Sequence, residues 1–178
     1  MKEKRLLLEE DGKTKKVENA ELPKIKYFSE FLVFGPVGFL SRYWQDFFNY
    51  EVIGNEAIEG HEAILIRSFP RKRGENMNFG KIWIDRDDFS ILKIEWEPRS
   101  IKDYKEEQRR SPIGILKKTV AWDAVFGIEK NGVRFPTEQL IQEIFVSDRG
   151  ERLVMEETVF SYDGYKFFTV EVDVKYTN

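Results

Sequence analysis

The chain contains one histidine, His61, and no cysteine. A single imidazole cannot supply a His-centred metal cluster, and the lack of thiols excludes disulfides, thiolate metal sites and cysteine nucleophiles. His61 stands at the edge of a strand-like run, where a lone histidine is expected to be structural or exposed. Asp85, Asp87 and Asp88 fall in the run DRDD, which superficially resembles a calcium loop. The glycine and the distant glutamate of such a loop are missing, so a hairpin turn is the expectation. Gly35-Pro36-Val37-Gly38 lacks the Lys-Ser/Thr of a phosphate loop. Arg71, Lys72 and Arg73 read as a solvated hairpin tip rather than an anion site. With 32 Asp and Glu in the chain, a carboxylate pair at glycosidase spacing is expected by abundance alone. None of this points to catalysis, and the chain is read as a non-enzymatic protein without a cofactor.

The stronger chemical signal is apolar. Leu40, Trp44, Phe47 and Phe48 recur at three- and four-residue steps, and Ile82, Ile84, Leu92, Ile94 and Trp96 alternate with polar residues further on. These nine side chains are the candidate site. They either pack on one another as a filled core or line a pocket for an apolar ligand.

Two kinds of element must position them. Residues 36–49 carry an apolar stripe at helical spacing, and Pro36 suits the first turn of a helix. Residues 52–98 read as at least three consecutive strands, at 63–69, 80–85 and 91–97, with turn signals between them. In the second strand Ile82 and Ile84 oppose Lys81, Trp83 and Asp85; in the third Leu92, Ile94 and Trp96 oppose Lys93, Glu95 and Glu97. The expectation is an antiparallel meander with one apolar face, which the helix covers.

Before this unit, residues 4–18 suggest a charge-rich hairpin turning at Asp11-Gly12, expected at the edge of the sheet. Residues 28–34 are nearly all apolar, and periodicity does not decide between strand and helical turn. After it, residues 101–110 read as a solvated connector. Strands follow at 116–128, 133–146 and 153–162, separated by Asn131-Gly132 and Asp148-Arg149-Gly150, and residues 167–176 alternate as a last strand. The fold class is therefore mainly β with one or two helices (α+β). Its centre is a large curved antiparallel half-barrel sheet with a helix plugging the concave face; a closed lipocalin-like barrel is the competing topology. The 178 residues suit one domain. A net charge of −3 gives no basic footprint for nucleic acid, and no apolar run is long enough for a transmembrane helix.

The order of these parts resembles a known family. GNEAIEG, in which Gly54 and Gly60 bracket a short strand and turn, precedes a strand ending at Pro70; then come KIWIDRDDFSILKIEW and KNGVRFP. Ile82-Trp83-Ile84-Asp85, Asn131 to Pro136 and the terminal YKFFTVEVDVKY are the most similar parts. From about Leu6 onward the chain resembles the LolA-like family of outer-membrane lipoprotein-sorting proteins. The resemblance implies a periplasmic or otherwise exported half-barrel whose helices plug a cavity for acyl chains. It implies one domain over residues 1–178, lacking the family's N-terminal helix and export signal. The implied function is binding of a lipid or lipoprotein acyl chain for envelope lipoprotein sorting or transport, with an envelope protein as a further partner. The alternative is an envelope protein-interaction or sensor domain with no lipid cargo. The arginine with which such carriers gate their lid cannot be placed here by motif.

Overall fold

Alternating apolar and polar residues become strands along most of the chain. The computed structural model describes residues 6–10, 12–21, 39–72, 77–112 and 114–166. Its elements are β1 (Leu6–Glu10), β2 (Lys13–Glu18), α1 (Arg42–Gln45), β3 (Phe48–Ile58), β4 (His61–Pro70), β5 (Gly80–Asp85), β6 (Ile91–Trp96), a 3₁₀ turn (Pro98–Ser100), β7 (Gln108–Ser111), β8 (Gly114–Lys130), β9 (Val133–Ser147) and β10 (Arg152–Ser161). Eight strands form one antiparallel sheet in the order β10-β9-β8-β6-β5-β4-β3, with β7 added against β8. Among the described residues β10 and β3 do not pair with each other, so the sheet is open, as in a half-barrel, and not a closed barrel. The Asn131-Gly132 turn forms as expected, both residues taking positive φ (55° and 71°).

Four expectations need correction. The apolar stripe at 36–49 does not give one helix: among the described residues only Arg42–Gln45 is helical, and Phe48 already begins a strand. Aromatic and β-branched residues are weak helix formers, and here β4 offers a partner for every residue from Phe48 to Val52. Pro36, Val37 and the undecided stretch 28–34 lie outside the described residues, as do Asp11, Arg73 and the last strand at 167–176. The β1–β2 hairpin exists but forms its own two-stranded sheet instead of an edge of the large one. All of β2 is exposed, because KTKKVE has no apolar face to dock. Residues 101–110 are more than a solvated connector. Ile101 is buried, Tyr104 packs on the core and donates its hydroxyl proton to the Lys118 carbonyl at 3.2 Å, and β7 pairs with β8.

The fourth correction concerns the faces of the meander. Trp83 pairs with Lys93 but Ile84 pairs with Ile91, so Leu92 is the extra residue of a β-bulge. The bulge resets the alternation: Ile91 and Ile94 stay with Ile82 and Ile84, while Leu92 joins Trp83. The sheet consequently buries apolar side chains on both faces. An inner face carries Ile82, Ile94, Trp96, Val120, Trp122, Ala124, Phe126 and Ile141. An outer face carries the smaller cluster Ala63, Leu65, Trp83 and Leu92.

Close approach of backbone fixes where β5 meets its neighbours. Ser68 is fully buried; its hydroxyl donates to the Gly80 carbonyl and accepts from the Gly80 N–H, both at 3.1 Å. Across β6, a Cβ on Gly80 would lie 2.0 Å from the Glu95 carbonyl oxygen. Gly80→Ala therefore forces the β5–β6 pair apart, at an expected cost of about 2–3 kcal/mol or more in urea unfolding. A loss well under 1 kcal/mol would show that the strands part easily here.

Candidate functional site

The inner face collects eight of the nine candidate side chains. Phe48, Ile82, Ile94 and Trp96 are buried in its cluster, and Leu40, Trp44, Phe47 and Ile84 pack against it half-buried. Leu92 is absent from it, carried to the outer face by the bulge. Sequence reasoning missed Phe39, Ile101, Val120, Trp122, Ala124, Phe126 and Ile141, which complete the buried part of the cluster. The parity of residues 116–128 already set Val120, Trp122 and Phe126 on one side; what it lacked was the β6–β8 pairing that brings them beside Ile94.

Aromatic rings close the face. Trp96 lies between Phe39, edge-on at 5.0 Å between centroids, and Trp122 at 6.0 Å. Phe39 also meets Phe48 edge-on at 5.1 Å, and Trp44 leans on Phe47 and Phe48 at 5.6 and 6.5 Å. Such edge and tilted contacts add roughly 0.5–1.5 kcal/mol each beyond area burial. The floor and its cover differ in how firmly they are held. Ile82 and Ile94 are wholly buried within the sheet's ladders. The covering segment, residues 39–47, contains one helical turn without a side-chain cap, too short to be stable alone. Its ties to the sheet include the Arg71 N–H donating to the Phe47 carbonyl at 2.9 Å and a long bond, 3.5 Å, from the Tyr50 hydroxyl to the Phe39 carbonyl. Burial raises the Tyr50 pKa, against the pull of Arg71, so that hydroxyl keeps its proton.

Polar groups bound the apolar floor on the β8–β9 side. Trp122 Nε1 donates to Gln139 Oε1 at 3.1 Å, and Gln139 Nε2 donates to the Tyr162 hydroxyl at 2.9 Å. Lys118, on the parity of Val120, is buried with its Nζ 3.0 Å from Glu143 and 3.9 Å from Glu107.

A second cluster on the opposite side was not foreseen as a unit. His61 Nδ1 lies 2.7 Å from Asp85 Oδ2, and Arg134 lies 3.5 Å from the same oxygen and 3.2 Å from Asp88. Arg134 Nε also donates to Ser90 Oγ at 2.8 Å. The turn reading of DRDD holds, since Asp85 and Asp88 accept the backbone N–H groups of Asp87 and Ser90. The register Ala63↔Asp85 already sets His61 near that carboxylate; Arg134, from the far hairpin, carried no local signal. Together these residues tie the β3–β4, β5–β6 and β8–β9 hairpins beside a cavity of about 120 Å³ lined by Ile58, Glu59, His61, Leu92, Phe126, Gly127 and Arg134. The cavity lies where β6 and β8, paired only from Lys93 to Glu95, part company. Asp85 is 3% exposed and engaged on both oxygens, so the arrangement is suited to cross-linking.

Among the described residues no group of His, Asp and Glu could hold a metal ion, and no helix is long and apolar enough to cross a membrane. Compared with known proteins, the chain matches no protein-family model, no curated protein and no solved structure.

Removing the buried anion of the clasp should cost far more than removing the exposed one. Asp85→Asn is expected to lose about 3 kcal/mol in urea unfolding at neutral pH, because it strips a buried partner from Arg134. Asp88, 47% exposed, should lose less than about 1 kcal/mol on conversion to Asn. Hydrogen bonds from Ser90, helped by Arg134, hold the Asp88 carboxyl below the usual range. Its contribution is therefore full above the unfolded carboxylate pKa and disappears as pH falls through the depressed folded value. Equal losses for the two variants would contradict the clasp.

Proposed function

We propose that the inner face holds the acyl chain of a lipid or lipoprotein, without catalysis, as part of lipoprotein sorting or transport in a cell envelope. The observation that carries this reading is the contrast between a buried apolar floor, with Ile82 and Ile94 wholly inaccessible, and the half-buried side chains Leu40, Trp44 and Phe47, which lie on a covering segment with a single helical turn. An acyl chain entering between them would exchange one apolar contact for another, so opening need not expose the floor to water. The resemblance of the order of sequence parts and turn motifs to LolA-like proteins supports the same reading and, with it, an exported location.

Magnitudes limit the affinity. A chain of about twelve methylenes offers roughly 10 kcal/mol at ~0.8 kcal/mol each, set against an association cost of about 4–15 kcal/mol. Displacing the cover subtracts more. Binding in the micromolar range, with release driven by the cover's return, suits a carrier better than a storage protein.

One observation favours the alternative of a protein-interaction or sensor domain. β10 ends the described strand order, and Leu153, Val154, Met155 and Val159 on it are exposed, as a strand-adding partner would require. A partner that co-purifies without lipid would select this reading.

An environment-sensitive fluorescent fatty acid tests the preferred one. The full-length protein should bind it, and Trp44→Ala should weaken binding by about five- to tenfold while leaving the β-sheet circular dichroism intact. No binding by the folded wild-type protein would overturn the acyl-chain reading.

A further inference from the structure

Three indoles are almost completely buried, and they differ in one respect. Trp83 Nε1 donates to Glu56 at 2.8 Å, and Trp122 Nε1 donates to Gln139 at 3.1 Å. Trp96 Nε1 is shielded from solvent and has no acceptor among the described residues. Buried donors are almost always paired, because an unmade bond leaves the desolvation cost standing. Trp96 is only 5% exposed and sits in the middle of the inner face, beside its paired neighbour Trp122 and directly under Phe39 of the cover.

We infer that Trp96 Nε1 is a hydrogen-bond donor to the ligand, and that the ligand is an acyl chain bearing a neutral carbonyl, an ester or amide. This rests on the reading of the inner face as an acyl-chain site and adds the chemical class of the head of that chain. The indole N–H offers a single neutral donor among Phe39, Phe48 and Trp122, which cannot repay desolvation of a carboxylate. A hydrocarbon or an ether would leave the donor as orphaned as before. The carbonyl would take the place of the Phe39 edge on Trp96, and the alkyl part would run along Ile94, Ile84 and Ile91 on the same face. Among the described residues, the Phe39 backbone is joined to the sheet by the long 3.5 Å bond from the Tyr50 hydroxyl.

Two lipids of equal chain length separate the outcomes: monomyristoylglycerol, an ester, and its glyceryl ether analogue, which lacks the carbonyl. By calorimetric titration the wild-type chain should bind the ester about five- to twentyfold more tightly. Trp96→Phe, which keeps an aromatic ring but removes the N–H, should bind both lipids alike. Equal affinity of the wild-type protein for the two lipids, or a preference that persists in Trp96→Phe, would overturn the inference and leave the acyl-chain reading standing. Binding of neither lipid would overturn that reading, and the inference with it. Should Trp96→Phe fail to fold, the wild-type protein decides through its Trp96 indole N–H proton resonance. A downfield move with the ester and not with the ether supports the bond, and the same response to both overturns it.

Discussion

The packing of Trp96 between Phe39, edge-on, and the tilted ring of Trp122 is the contact on which this structure turns, because it joins the sheet's inner face to the segment that covers it. An open antiparallel sheet with an apolar face must hide that face, and among the described residues the hiding is done by side chains more than by a regular element. Phe39, Trp44, Phe47 and Phe48 reach the floor from a stretch with one helical turn and the start of a strand. Aromatic rings suit this duty because each covers a large area with few torsions to fix. The cover's bonds to the sheet include the Arg71 N–H to the Phe47 carbonyl and the Tyr50 hydroxyl to the Phe39 carbonyl.

The outer face has a different task. The Leu92 bulge turns one apolar residue away from the inner floor and adds it to Trp83 and Leu65. Nearby, Asp85 gathers His61 and Arg134 from two other hairpins. Where the β6–β8 ladder stops after three residue pairs, this ion-pair clasp takes over the tie between the two halves of the sheet. The two faces therefore differ in chemistry: the outer side carries the ion-pair clasp, and the inner side an apolar cluster beneath its aromatic cover.

Much of this was legible in the residues. Period-2 alternation located β4, β5, β6, β8, β9 and β10 to within a few residues, and Asn131-Gly132 fixed the hairpin between β8 and β9. Part of the inner face was legible too: eight of the nine candidate side chains gather there, and burial follows parity through the middle of β8. The failures share one cause, information held in pairing rather than in local pattern. Phe47 and Phe48 fit a helical stripe until β4 is known to lie alongside. Leu92 fits the parity of Ile94 until the register with β5 reveals the bulge. Arg134 looks like a turn residue until its hairpin is placed against Asp88 and Ser90. The orphaned indole of Trp96 is invisible in sequence, since Trp83 and Trp122 differ from it only in what lies beside them.

The central claim is that the inner face is a binding site whose cover is displaceable, rather than a closed core. Native mass spectrometry of the full-length protein, purified from its host without detergent, tests it most directly. The account predicts a population heavier than the polypeptide by one acyl lipid, which organic extraction releases and identifies. A single ligand-free mass, unchanged after incubation with an excess of acyl ester lipid, would contradict it.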